Sequence, residues 1–310
     1  MPRYSVVIPF YNEHESLEPL YRKLVDVLQP LGPFELLFVD DGSTDGSFAV
    51  VERLHGQDAR IRGFQLRRNF GKSAALVTGF RVARGEIVVM IDADLQDEPA
   101  EIPRLAQALN GADLVTGWKE VRNDPWTKRF PSLVFNTIAR WMFGVRLNDL
   151  NSGLKVMRND VAKALEPYGE QHRFLPILAL QHGFVPAELP VQHHERQYGQ
   201  SKYGWKRFFR GSFDLLTIGF LSRFRNRPLH LFGGIGALLF FAGLALGIYL
   251  TVIHFLGEPI GQRPLLTFAV LLMIAGIQMI STGLLAELLI NRSGAQPYPI
   301  RKTLDHERPD

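Results

Sequence analysis

The chain has 310 residues, enough for two ordinary domains or one of about 200 residues with an appendage, and at 46% hydrophobic and 21% charged it is far too apolar to be disordered. It has no cysteine, which excludes a disulfide framework, a thiolate zinc site, an iron–sulfur cluster and a cysteine nucleophile. The net charge of +4 is uneven: residues 206–227 hold six basic side chains against the single Asp214, whereas residues 229–310 hold five of each sign, so the surplus is one local block.

From the N-terminus, short β-branched runs alternate with helical patterns. Strands are predicted at 4–9, 34–39, 61–65, 87–91 and 113–116, and helices at 17–28, 47–54, 73–83 and 102–109. Strands buried on both faces and separated by helices make an open, mostly parallel α/β sheet. In such sheets the ligand crevice lies at the carboxyl ends of the strands. The polar clusters stand at those ends: Tyr11-Asn12-Glu13, Asp40-Asp41-Gly42-Ser43, Arg67-Arg68-Asn69 and Asp92-Ala93-Asp94.

Two familiar nucleotide motifs are absent. Pro9-Phe10-Tyr11 follows the first strand, where a dinucleotide fold needs Gly-x-Gly-x-x-Gly, and Gly71-Lys72-Ser73 lacks the earlier glycine of a P-loop, Leu66 standing in its place. Asp92 and Asp94 instead leave a buried strand at i and i+2, a spacing that lets two carboxylates converge on one hard cation such as magnesium or manganese. Such an ion bridges phosphate oxygens and suits a nucleotide diphosphate. Asp97 and Glu98 read as solvated first-turn acids of the next helix. Loops at 118–126 and 172–180 are the expected pocket-shaping segments, and their composition singles out no particular ligand.

Residues 206–228 mix Phe208, Phe209, Phe213, Phe220 and Phe224 with Arg207, Arg210 and Arg223, the pattern of amphipathic helices lying among headgroups. Placed just before a long apolar run, the basic block points to anionic membrane lipids rather than nucleic acid. Residues 229–256 and 265–286 carry no charge, and each run exceeds the roughly 20 apolar residues that span a bilayer. The second span is drawn to 290, with Glu287 near the interface, and the turn-rich linker between the spans makes them an antiparallel hairpin. Arg210, Arg223, Arg225 and Arg227 precede the hairpin and Arg292, Arg301 and Lys302 follow it, which places both termini and the tail 291–310 in the cytoplasm. The run 6–10 is too short for a signal peptide, so residues 1–205 are expected to stay cytoplasmic at the inner (plasma) membrane. Gly243 and Gly247 make a small-xxx-small pair for helix packing, an expected contact for a homo-oligomer through the transmembrane helices.

Four ordered motifs carry a resemblance. Val7-Ile8-Pro9-Phe10-Tyr11-Asn12-Glu13, Val39-Asp40-Asp41-Gly42-Ser43-Thr44-Asp45, Asn69-Phe70-Gly71-Lys72 and Asp92-Ala93-Asp94-Leu95-Gln96-Asp97 resemble those of family 2 glycosyltransferases with a GT-A-type fold. Within that family the chain is similar to polyprenyl-phosphate glycosyltransferases related to dolichyl-phosphate mannose synthase and bactoprenol glucosyltransferase. The resemblance runs on through Asn151-Ser152-Gly153, Arg173-Phe174 and Gly199-Gln200-Ser201-Lys202 into the two spans. It implies that Pro9, Tyr11, Glu13 and Asp40 line the base and ribose pocket, with Asp40 accepting from the base. It further implies that Asp92, Ala93, Asp94 and Gln96 face the diphosphate, with Asp92, Asp94 and Gln96 at the metal. Arg196, Ser201 and Lys202 would close over the diphosphate, and Arg122, Arg129 and Ser132 would take the lipid phosphate.

The implied reaction is inverting transfer of a single sugar from a nucleotide diphosphate sugar to polyprenyl phosphate. Asp94 would act through the metal. Many relatives carry an acid directly after the Asn-Ser/Thr-Gly segment, whereas Leu154-Lys155 stands here and Asp149 is the nearest candidate base. The absence of Gln-x-x-Arg-Trp favours single transfer over polymerisation. The alternatives are another lipid or glycolipid acceptor, or a non-catalytic membrane scaffold derived from a transferase.

Overall fold

The computed structural model describes residues 2–119, 147–149, 152–192, 228–257 and 264–292. They fall into two compact units, 2–192 and 228–292.

The first unit is a seven-stranded sheet with helices on both faces. Its strands are β1 (Tyr4–Phe10), β2 (Phe34–Asp40), β3 (Ile61–Gln65), β4 (Ile87–Met90), β5 (Leu114–Lys119), β6 (Lys155–Arg158) and β7 (Pro186–Val191), in spatial order β3-β2-β1-β4-β6-β5-β7. β1 pairs in parallel with β2 and β4, and β2 with β3, so their carboxyl ends form one edge. β6 runs antiparallel to both β4 and β5, while β5 and β7 are parallel.

The predicted α/β sheet is therefore present, with one reversed strand in its centre. All five predicted strands form, and the predicted helices appear as α1 (Leu17–Leu28), α2 (Ser47–Gln57), α3 (Lys72–Val82) and α4 (Ile102–Gln107). The sequence reading missed β6, β7, α5 (Asn159–Ala164) and α6 (Leu175–Gln181), all short. It also expected a loop at 172–180. There a 3-10 turn (Gln171–Phe174) leads into α6, which buries Leu175, Ile177 and Ala179 because its apolar face has the sheet to cover.

Strand alternation sorts the core into two layers. Val6, Ile8 and Phe10 pack with Leu17, Leu20 and Leu24 of α1, Val50 and Leu54 of α2, and Leu105 of α4. Val7 and Met90 pack on the opposite face with Leu76 and Phe80 of α3, Val161 of α5 and Leu175 of α6. Leu17, Leu20, Leu24 and Leu28 recur on one helical stripe and are wholly buried, each contributing about 1.5–3 kcal/mol of transfer free energy. Close approach of α3 to β1 requires Gly79, where any Cβ would run into the Val7 side chain.

The second unit is a pair of apolar helices, α7 (Pro228–Phe255) and α8 (Pro264–Arg292), each long and apolar enough to cross a membrane. They pack through small residues one heptad apart, Gly236 and Gly243 on α7 and Ala269, Gly276 and Gly283 on α8, and Leu250 is buried one heptad further along α7. A Cβ at Gly243 would lie 2.7 Å from the Ala269 carbonyl oxygen, and one at Gly236 would lie 2.6 Å from that of Gly276. A Cβ at Gly247 would meet nothing within 4 Å, so of the expected Gly243/Gly247 pair only Gly243 packs on α8, and its small partner on α7 is Gly236, seven residues away. Glu287 Oε2 accepts from the Leu229 amide at 3.4 Å, satisfying a free N–H at the start of α7. The amphipathic segment foreseen at 206–228 lies outside the described residues as far as 227.

Candidate active site

The carboxyl-terminal edge of β1, β2, β3 and β4 gathers the polar motifs. After β1 the chain turns through Asn12, a non-glycine residue at φ 56°, and its loop is tied to the loop after β2. The Asn12 and Glu13 amides donate to Ser43 Oγ and Ser47 Oγ at 2.9 Å each, and Asn12 Oδ1 accepts from the Thr44 amide at 2.9 Å. Pro9 is buried at the end of β1, with Tyr11 and Glu13 half-buried just beyond it.

Asp40 ends β2 and is fully buried. Its Oδ1 accepts from the Ser43 amide at 2.8 Å and the Ser43 hydroxyl at 2.5 Å, and its Oδ2 accepts from Gln65 Nε2 at 2.9 Å. Gln65 lies directly opposite it on β3. Asp40 thus ties the turn that carries Gly42, where φ is 75° and a Cβ would lie 2.6 Å from the Arg68 backbone. Asp41 holds the next loop, accepting from the Phe70 and Gly71 amides at 2.8 and 2.9 Å. Burial pushes the Asp41 carboxyl up, against the pull of those two amides.

The metal-type motif follows β4. Asp92 is half-buried, Ala93 and Asp94 are buried, and Gln96 is half-buried. Asp94 Oδ1 accepts from the Gln96 amide at 3.3 Å, and Leu95 adopts φ 59°, a left-handed conformation that costs a non-glycine residue on the order of 1 kcal/mol. Lys72, the first residue of α3, places its ammonium 2.5 Å from Asp92 Oδ1. Burial works to raise the Asp92 carboxyl, but the charge of Lys72, with His172 and Lys155 behind it, holds it below the ordinary value. His172 is itself buried, with Nδ1 3.1 Å from Ser73 Oγ.

Asp97 departs from its solvated reading. It is only 4% exposed, and Gly153 packs against it: a Cβ there would overlap Asp97 Oδ2 and lie 2.9 Å from Asp92 Oδ2. Glu98 does cap the short 3-10 turn Pro99–Glu101, accepting from the Ala100 amide. Asp149 is buried beside this cluster in the field of Lys155. Lys155 is wholly buried and donates through Nζ to the Ser152 carbonyl. Burial lowers its pKa to about 8, the Lys72 charge adding to the shift and Asp149, Asp92 and Asp97 opposing it.

The edge thus brings together Pro9, Tyr11, Glu13, Asp40, Asp92, Ala93, Asp94, Gln96 and Asp149. Arg122, Arg129, Ser132, Arg196, Ser201 and Lys202 lie outside the described residues. Sequence reasoning missed Glu188 of β7, which binds the 148–149 backbone, and the sole signal was an acid in an otherwise apolar strand. It also assigned no role to Lys72 or Lys155. Among the described residues no three His, Cys, Asp or Glu side chains form a metal cage by themselves.

Comparison with known proteins agrees with this arrangement. Residues 5–165 match the family model for glycosyl transferase family 2, and residues 227–291 match that of the GtrB C-terminal hairpin. A dodecaprenyl-phosphate galacturonate synthase of Rhizobium johnstonii is 37% identical over 98% of this chain and 93% of its own length. An undecaprenyl-phosphate 4-deoxy-4-formamido-L-arabinose transferase of Edwardsiella ictaluri is 35% identical over 99% of this chain and 95% of its own. A mannosyltransferase of Pyrobaculum calidifontis, solved with GDP-mannose and Mn2+, shares the fold at a TM-score of 0.53 and 19% identity, over 96% of this chain and 77% of that one. The match to more than half the chain, joined to the strand-end carboxylates and the helical hairpin, makes this protein a member of glycosyl transferase family 2.

Proposed function

We propose that the protein transfers one sugar, with inversion, from a nucleotide diphosphate sugar to polyprenyl phosphate at the cytoplasmic face of the inner membrane. The observation that carries this reading is a diphosphate-type carboxylate edge on the same chain as an apolar hairpin, in a protein similar along nearly its whole length to two polyprenyl-phosphate enzymes. The loops after β1 and β2, with Pro9, Tyr11, Glu13 and Asp40, form the nucleoside side of the site. Asp92, Asp94 and Gln96 would hold a magnesium or manganese ion. Two carboxylates are the usual protein share for an ion that completes its shell with phosphate oxygens and water. When bound, such an ion offsets the charge that develops on the leaving diphosphate.

The chain's own residues supply the rest. Lys72, 2.5 Å from Asp92, carries a cation to the diphosphate side. Arg196, Ser201 and Lys202 serve as donors over the diphosphate, and Arg122, Arg129 and Ser132 fix the acceptor phosphate. A phosphate monoester is largely ionised at neutral pH, its second pKa being about 6, so the nucleophile needs no strong base. Asp149, the candidate base, is buried and faces Lys155, an arrangement suited to shaping the acceptor side electrostatically. The basic 206–227 segment, which precedes the hairpin in the sequence, binds anionic lipids.

The test offers full-length protein in detergent a panel of UDP-glucose, UDP-galacturonate and GDP-mannose with undecaprenyl phosphate and Mn2+. The expected result is release of one nucleoside diphosphate together with an acid-labile lipid-linked sugar. Sugar appearing on diacylglycerol instead, or no lipid product with any donor, would sink the reading.

A further inference from the structure

β6 enters the sheet antiparallel between β4 and β5, and its first residue completes a row. Met90 of β4 pairs with Lys155 of β6, Lys155 with Thr116 of β5, and Thr116 with Glu188 of β7. Directly opposed residues project to the same face of a sheet, so Lys155, Thr116 and Glu188 form one polar row across three strands. Lys155 and Thr116 are fully buried and Glu188 is half-buried. An ammonium withdrawn from water costs several kcal/mol unless charges and acceptors surround it, so the row needs compensation.

That compensation comes from residues 148, 149 and 152 and from the Asp92 and Asp97 carboxylates. Glu188 accepts the Asn148 amide at 2.8 Å through Oε1 and 2.7 Å through Oε2, the Asn148 side-chain amide at 2.5 Å, and the Asp149 amide at 3.3 Å. Lys155 Nζ donates to the Ser152 carbonyl and sits in the field of Asp149, Asp92 and Asp97. Between these anchors Gly153 packs on Asp92 and Asp97, at a distance only glycine allows.

We propose that Lys155 and Glu188 are paired positioning residues, which hold residues 147–149 and 152–154 from beneath so that Asp149 and Gly153 stay seated against the Asp92–Asp97 carboxylates. In their kinetic consequence they rest on the transferase reading above. Both act through the backbone they hold, Glu188 at the Asn148 and Asp149 amides and Lys155 at the Ser152 carbonyl. Their effect is on turnover, through the wall of the site opposite the donor loops of β1 and β2.

The experiment compares full-length wild type with Lys155→Met, Glu188→Ala and Glu188→Gln in detergent, by hydrogen exchange and by kinetics with the active donor of the panel. Met keeps the volume of the buried chain, and Glu188 is partly solvated, so both variants should fold. In Lys155→Met and Glu188→Ala, exchange should quicken about tenfold or more in peptides spanning 147–154 while β1 and β2 stay protected. In the same variants kcat should fall about tenfold or more with donor KM within about twofold, and Glu188→Gln, which keeps one acceptor oxygen, should recover part of the loss. Wild-type exchange at 147–154, or unchanged kcat in both variants, overturns the proposal. So does loss of protection throughout the first unit, since the row would then merely stabilise the fold. The exchange arm needs no donor, so a failed donor panel and a failed positioning role give different results.

Discussion

Asp92 and Asp94 leave β4 together, yet their surroundings divide them. Asp92 meets the Lys72 ammonium at 2.5 Å, while Asp94 is buried and accepts from the Gln96 amide. Asp94→Asn removes a charge and little volume, so the fold should survive while turnover falls on the order of 100-fold. Loss of Mn2+ binding, read by paramagnetic resonance of the full-length variant without donor, separates a ligand role from a packing role. Away from the site, Asp58 accepts from both the Arg60 guanidinium and Tyr21, the Arg60 bond being the largest cause of a pKa lowered to about 2. A carboxyl depressed in the fold stabilises it above pH about 4 and loses that contribution as pH falls from 4 to 2. The shift corresponds to about 2 kcal/mol. The melting difference between wild type and Asp58→Asn should therefore be full at pH 7 and shrink below pH 4; an equal difference at pH 7 and pH 2.5 would contradict the pairing.

Helices with a strong apolar stripe formed where expected, and α1 matches its predicted span residue for residue because Leu17, Leu20, Leu24 and Leu28 fix its buried face. β6 and β7 gave weaker signals. β6 has four residues and begins with Lys155, and β7 has prolines at Pro186 and Pro190, so neither shows a simple alternation. The hairpin illustrates the same limit in a helix. Its apolar length was plain, but the face turned towards the partner was not, since nearly every residue of α7 is apolar. Gly243→Leu should clash with Ala269 and Met273 and cost about 1–3 kcal/mol of hairpin stability, whereas Gly247→Leu meets open space. Thermal unfolding in detergent checks this, and equal melting of the two variants would refute the heptad interface.

Across the molecule, charge and apolarity are segregated along the chain: a near-balanced α/β unit, a basic stretch at 206–227 and two long apolar helices. Anionic vesicles should accordingly support faster transfer than neutral ones at low salt, with the advantage fading as ionic strength rises past about 0.1 M. Equal rates in phosphatidylcholine vesicles with and without phosphatidylglycerol would remove the basic segment from membrane attachment. The sequence alone determined the alternating α/β order, the strand-end motifs with the Asp92–Asp94 pair, and the two spans. These are local patterns: period, turn residues and uninterrupted apolar length follow from neighbours in the chain. Only the tertiary structure decided that Asp97 is buried, that Gly153 lies on the carboxylates, and that Lys155 and Glu188 share one row beneath residues separated from them in sequence. Those outcomes depend on β6 inserting antiparallel into the sheet. That pairing is set by contacts between distant segments, and no local periodicity encodes it.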